Sequence, residues 1–212
     1  MMPSRKVFVF DLDDTLYKEV DFLKSAFHEI ATCIESNYGL SDVYDRLLQY
    51  WQKGENAFEH IINENHLPLQ VEDLLKMYWA HYPQISLDNN TRQVLDQLHQ
   101  DGVLGIITDG RSLTQRNKIE ALGLDAYIEN QNLYISEETG FAKPSPEPFR
   151  SLMKRYPDSD YYYIGDNPAK DFMAPNQLGW TTVCLLDDGR NIHPQVWSAK
   201  DDYLPQKKVH IS

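Results

Sequence analysis

Positive charge is scarce in this sequence. Twenty lysines and arginines stand against 32 aspartates and glutamates, a formal charge of −12, with an isoelectric point near 4.9. Such a chain lacks the basic patch that nucleic acid requires, and anionic membranes repel it. No nucleic-acid or membrane partner is expected. An anionic small substrate would also meet a repulsive global field, so a local cation would have to supply the attraction. Cysteine is nearly absent: Cys33 and Cys184 lie far apart and form no CxxC. That excludes a disulfide framework and points to a reduced, cytoplasmic protein. Long apolar runs are missing too. No stretch approaches the ~18 residues of a membrane span, and in "MMPSRKVFVFDLDDT" acid follows a four-residue apolar run, unlike a signal peptide. No repeat or low-complexity segment is present.

What is present is an ordinary globular composition, 42% apolar and 25% charged over 212 residues. The length suits one α/β domain or a core with a smaller insert. "KVFVFDL" (6–12) reads as a buried strand. From about Glu19 to Tyr82 the texture is helical, from "VDFLKSAFHEIATCIESNYGL" to "VEDLLKMYWAHY", with no strand signal. Strands and helices then alternate: helix to Gly102, strand "VLGIITDG", helix "SLTQRNKIEALGL", strand "AYIENQNLYIS", helix "SPEPFRSLMKRY", strand "DYYYIGDN", helix "PAKDFMAPNQLG" and strand "WTTVCLL". This alternation predicts an α/β fold, a doubly wound parallel, Rossmann-like sheet. The expected domains are a core of 1–17 and 88–212 and an all-helical insert of 18–87. The Pro- and charge-rich C-terminal stretch should be loop packed on the core.

Ligands of such sheets bind beyond the carboxyl ends of the strands. The first strand ends in Asp11 and Asp13, the second in Thr108, Asp109 and Gly110, and "DYYYIGDN" in Asp166 and Asn167. Lys143 precedes a helix in "TGFAKPSPEPF". Asp11 and Asp13, two apart in an extended chain, point the same way. Together they need a cation, or one keeps its proton. Few hard oxygen ligands suit Mg²⁺. Thr108 offers a hydroxyl, Lys143 a charge, and the amides of Asp109 and Gly110 an anion-binding concavity. Metal, lysine, hydroxyl, amides and a free carboxylate make a phosphoryl-transfer site with a carboxylate nucleophile.

The motifs resemble those of the haloacid dehalogenase-like hydrolase superfamily: Asp11-Leu12-Asp13-Asp14-Thr15, then Thr108, Lys143 and "GDNPAKD" with Asp166 and Asp171, in the required order. The helical insert resembles that family's first-type cap. The resemblance implies Asp11 as nucleophile and Asp13 as general acid and then base. Mg²⁺ would be held by the Asp11 carboxylate, the Asp13 backbone carbonyl and Asp166. Thr108 and Lys143 would hold phosphoryl oxygens, and Asp171 would orient Lys143 or a metal-bound water. Asn167 either joins the site or caps the helix after Pro168. Asp14 has no assigned chemistry.

Asp13 selects within the family, because an alkoxide leaving group benefits from a general acid whereas halide does not. The expected activity is therefore Mg²⁺-dependent hydrolysis of a small sugar- or nucleotide-like phosphomonoester. A phosphotransferase or phosphomutase on the same site is the alternative, and a non-catalytic, aspartate-phosphorylated module a more distant one. Tyr17 and Lys18, just after the first motif, are candidates for substrate contact. His28, His60, His66 and His81 show no metal spacing.

Overall fold

The structure is a computed structural model describing residues 4–198 and 200–210. Residues 1–3 of the N-terminal segment, and 199, 211 and 212 of the expected C-terminal loop, lie outside the described residues. The chain divides into two compact units. One is built from residues up to Val20 and from Ser86 onward, the other from Asp21–Ile85.

The first unit is organised by strand β1 (Lys6–Phe10), whose continuous apolar run fits a strand covered on both faces. It pairs in parallel with β2 (Gly102–Thr108) on one side and β4 (Asp160–Gly165) on the other. Beyond β2 lies β3 (Leu133–Ile135); beyond β4 lie β5 (Thr181–Leu185) and β6 (Lys207–Val209). All pairings are parallel and the order is β3-β2-β1-β4-β5-β6. The order reverses beside β1, the doubly wound arrangement that leaves a ligand crevice between the ends of β1 and β4. Right-handed crossovers put α5 (Asn89–Asp101) and α6 (Ser112–Ala121) on one face and, after the single-turn α7 (Ser136–Thr139) that follows β3, α8 (Glu147–Arg155) and α9 (Met173–Gln177) on the other.

The α8–α9 face buries Val7, Val9, Ile107 and Tyr163 against Phe149, Leu152, Phe172 and Trp180. Each such aliphatic or phenyl side chain contributes roughly 1.5–3 kcal/mol on leaving water. Phe10 looks the other way, toward Leu95 and Leu98 of α5. Gly102 follows α5 in an extended conformation and opens β2. A Cβ there would lie 2.3 Å from the Lys6 carbonyl oxygen, so the residue serves close approach of β1 and not a left-handed cap.

Three elements differ from the sequence reading. The strand expected in "AYIENQNLYIS" shrinks to β3, preceded by short 3₁₀ turns at Leu124–Ala126 and Asn130–Asn132. The helix expected from Pro168 begins only at Met173, because the Asp171 side chain folds back onto the preceding amides. The C-terminal stretch contains β6, short and lysine-rich as edge strands tend to be.

The second unit holds most of α1 (Glu19–Tyr38), together with α2 (Val43–Gln52), α3 (Ala57–Glu64) and α4 (Val71–Ala80). Phe22, Phe27, Phe58 and Tyr78 meet edge to face at its centre. His81 is buried there, 2.7 Å from Ser25 Oγ through Nε2 and paired with Glu29 through Nδ1.

Candidate active site

A cavity of about 160 Å³ opens at the carboxyl ends of β1, β2 and β4. Asp11, Asp13, Asp109, Asp166 and Asn167 line it, with Asp14, Glu19, Lys170 and His193. The fold thus brings five of the predicted site residues to one wall.

Asp11 follows β1, its amide donating to the Ile164 carbonyl of β4 at 2.8 Å. Its Oδ1 accepts the Leu12 N–H and lies 2.8 Å from Lys143 Nζ. Lys143 reaches in from the loop before α8. It is equally close, 2.8 Å, to Asp171 Oδ1, and its side chain is fully buried. Burial opposes that charge, yet the flanking Asp11 and Asp171 hold the ammonium well above its ordinary pKa. Burial in turn pushes Asp11 up to about 6 against the pull of Lys143. Asp171 Oδ2 accepts the N–H groups of Asp166 and Asn167 at 3.2 and 2.8 Å. Both its oxygens are therefore committed. Gly165 makes room for them: a Cβ there would meet Asp171 Oδ2 at 2.5 Å.

Asp13 turns to a different set of partners. Lys118 of α6 donates to its Oδ1 at 2.7 Å, joined there by the Tyr17 hydroxyl. Gln115 Nε2 donates to its Oδ2 at 2.9 Å and to Thr108 Oγ1 at 2.7 Å. Burial works against ionisation, but Lys118, Tyr17 and Gln115 outweigh it and hold the carboxyl below its usual range. Asp109 receives the Lys143 N–H at 3.0 Å on Oδ1 and lies 3.2 Å from Lys170 through Oδ2. The Gly110 N–H, expected to face an anion, donates to Ser136 Oγ at 2.9 Å. Asn167 closes a turn by accepting the Ala169 N–H at 3.0 Å.

Asp14 now has a place. Its backbone is left-handed, φ 56°. Its two oxygens accept the N–H of Glu19 at the start of α1 and that of Ile192 in the loop after β5, at 2.9 and 3.1 Å. Tyr17 and Lys18, considered above for substrate contact, are engaged by the protein: Tyr17 with Asp13, Lys18 with Asn191 and Asp188.

Asp11, Asp166 and Asp171 each offer an oxygen within 4.8 Å of the others, all three buried. Burial, then the charges of Asp11 and Asp171, push Asp166 up to about 8. A concentration of buried carboxylates with one lysine among them fits a hard divalent cation. Asp171 is the most heavily engaged of the three, with Lys143 on one oxygen and two amides on the other.

Residues 5–179 match the model of the haloacid dehalogenase-like hydrolases. The chain belongs to this family. It is a hydrolase of the haloacid dehalogenase-like type, and curated relatives carry phosphatase names. It is 28% identical over 207 residues to glyceraldehyde 3-phosphate phosphatase of Methanocaldococcus jannaschii, covering 85% of each chain. It is 30% identical over 105 residues, 48% of this chain and 45% of the other, to the pyrimidine 5'-nucleotidase YjjG of Escherichia coli. Among solved structures, the HAD-hydrolase YfnB of Bacillus subtilis, bound to magnesium, superposes with a TM-score of 0.67 at 20% identity, covering 97% of this chain and 94% of that one. At that identity the likeness speaks to the fold alone.

In this member of the haloacid dehalogenase-like family, the sequence motifs missed Gln115, Lys118 and Asn191, which last donates to Asp166 Oδ2. A signal for the first two existed. Helix α6, "SLTQRNKIEA", has no apolar stripe, and its Leu113 is 55% exposed. A helix that must pack on a sheet yet turns Thr114, Gln115 and Lys118 inward is covering something polar.

Proposed function

We propose that the protein is a Mg²⁺-dependent phosphomonoester hydrolase acting on a small phosphorylated metabolite through an aspartyl phosphate at Asp11. The observation that carries this reading is the Asp11 carboxylate in the cavity wall, flanked by Lys143 and within reach of Asp166. Asp11 is the nucleophile: an oxygen attacks phosphorus, the ester bond breaks, and the phosphoryl group passes to the carboxylate. Lys143 orients Asp11 and attracts the phosphoryl oxygens, and Thr108 offers them a hydroxyl. Asp13 gives a proton to the leaving alkoxide, then takes one from the water that cleaves the acyl phosphate. Because Lys118, Tyr17 and Gln115 favour its ionised form, Asp13 must first take up a proton from solvent, as substrate loosens those bonds, before it can give one to the alkoxide. Mg²⁺, held by Asp11, Asp166 and the Asp13 backbone carbonyl, would neutralise charge on the transferring group.

The helical unit, inserted between β1 and β2, is proposed as the cap that selects the organic part of a sugar- or nucleotide-like substrate. Named relatives point to triose phosphates and pyrimidine nucleotides as first compounds to try. Two free cysteines support a reduced, cytoplasmic setting.

The test is hydrolysis of p-nitrophenyl phosphate and of those metabolites, with Mg²⁺ and with chelator, beside Asp11→Asn. Metal-dependent turnover abolished in the variant is expected. Turnover that survives Asp11→Asn would overturn the reading.

A further inference from the structure

We propose that Asn191, in the loop after β5, is a positioning residue for the metal site: it orients the Asp166 carboxylate, and Lys18 fixes the orientation in which it does so. The inference rests on the reading of the site as a metal-dependent phosphatase.

Asp166 directly follows β4, and its backbone is fixed by the strand and by Asp171. Its carboxylate is free to rotate unless something holds it. Among the described residues two hydrogen bonds do so. Thr15 Oγ1 donates to Oδ1 at a long 3.3 Å, and Asn191 Nδ2 donates to Oδ2 at 3.0 Å. A carboxylate oxygen accepts more than one bond, so these donors leave room for a cation.

An asparagine amide can present either end. Here the choice is forced. Lys18 Nζ lies 2.7 Å from Asn191 Oδ1, and an ammonium can only donate. The amide oxygen therefore faces Lys18, and the NH₂ group faces Asp166. Lys18 is itself held 3.2 Å from Asp188.

The loop is built to hold this arrangement. Asp187 Oδ1 accepts the N–H groups of Gly189, Arg190 and Asn191 at 2.8, 3.1 and 3.0 Å. Asp14, within the first motif, clamps the Ile192 N–H. Gln195 Nε2 donates to the Asp166 and Leu185 carbonyls, both at 2.7 Å. One loop thus grips the main chain of Asp166 through Gln195 and its side chain through Asn191. The match to the family model ends at residue 179, so this support lies outside the part of the chain that the model covers.

Partners that orient metal ligands are typically worth 10–100-fold in metal affinity or activity. The experiment is calorimetric titration of the purified full chain with Mg²⁺, for wild type, Asn191→Ala and Lys18→Met, with metal-free thermal unfolding of each. Asn191→Ala should raise the Mg²⁺ dissociation constant ~10–100-fold, with a metal-free unfolding midpoint near wild type. Lys18→Met keeps Asn191 but lets its amide flip, so it should weaken binding in the same direction by less. In turnover, the Mg²⁺ half-saturation should rise while kcat recovers at high Mg²⁺. Wild-type affinity in Asn191→Ala would overturn the inference alone. If that variant fails to fold, unchanged affinity in Lys18→Met overturns it instead. Wild type that binds no Mg²⁺ would overturn the phosphatase reading, and the inference with it.

Discussion

Lys143 Nζ stands 2.8 Å from an oxygen of Asp11 and 2.8 Å from an oxygen of Asp171, with no water-exposed side-chain surface of its own. One ammonium therefore holds together the proposed nucleophile and the residue that braces the end of β4. Lys143→Met leaves both carboxylates buried without their counter-charge. Removing one partner of a buried pair costs about 3–5 kcal/mol. Urea unfolding in metal-free buffer should show a loss of that order, and turnover should vanish. A variant as stable as wild type would mean that Lys143 is not the keystone of the cluster.

Gly165 is required by its neighbour. An alanine Cβ would meet Asp171 Oδ2 at 2.5 Å, closer than unbonded atoms tolerate. The backbone of β4 is held on both sides, so Asp171 must yield. Gly165→Ala should cost about 1–3 kcal/mol in stability. It should lower kcat more than the loss of folded protein explains, because Lys143 and the Asp166 amide lose their partner. Measuring kcat per folded molecule, with the folded fraction from circular dichroism, decides the point.

The proton role proposed for Asp13 can be separated from its placement by changing the leaving group. An alkoxide needs a proton as it departs; p-nitrophenolate does not. In single-turnover experiments Asp13→Asn should slow phosphoryl transfer from an alkyl phosphate by ~10²–10⁴. The first burst of p-nitrophenolate from p-nitrophenyl phosphate should change far less. Equal losses with both substrates would assign Asp13 to holding the site together and not to acid catalysis.

How far the sequence carries the molecule depends on where each residue sits. β1 was legible because a strand buried on both faces has no polar interruption until Asp11. The convergence of Asp11, Asp109 and Asp166 was legible because each directly follows a parallel strand, and such strands end at one edge. Lys118 and Asn191 were not, for different reasons. Lys118 lies on a helix whose sequence looks like a solvated surface, and only the absence of an apolar stripe marks it. Asn191 reaches Asp166 through a loop whose path is set by side-chain bonds to Asp14, Asp187 and Gln195, and no periodicity records those. Asp14 itself, opaque as one of three clustered acids, is explained by a left-handed backbone and two amides far apart in sequence.

The two cysteines should report the core directly. Cys184 is buried in β5, and burial, with Asp166 and Asp171 nearby, pushes its thiol up to about 12. Thiols react as thiolates, so Cys184 should resist iodoacetamide at pH 8 while the partly exposed Cys33 is modified. Peptide mapping should find carbamidomethyl groups on Cys33 alone in native protein, and on both after unfolding in guanidinium.

The contacts of Asp188 with Arg190 and Lys18 should appear in the pH dependence of stability. Hydrogen bonds from Arg190 and Lys18 hold Asp188 down to about 2, against 3.8 ordinarily. A depressed carboxyl pKa stabilises the fold above the unfolded-state value and ceases to do so as pH falls through the folded-state value. The contribution is thus complete above about pH 4 and gone near pH 2. Asp188 is partly exposed, so solvent screening keeps the effect to about 0.5 kcal/mol. Asp188→Asn should unfold at lower urea concentration than wild type at pH 6, with the two curves converging as pH drops from 4 toward 2. A gap that persists at pH 2 would place the effect of the substitution in packing and not in charge.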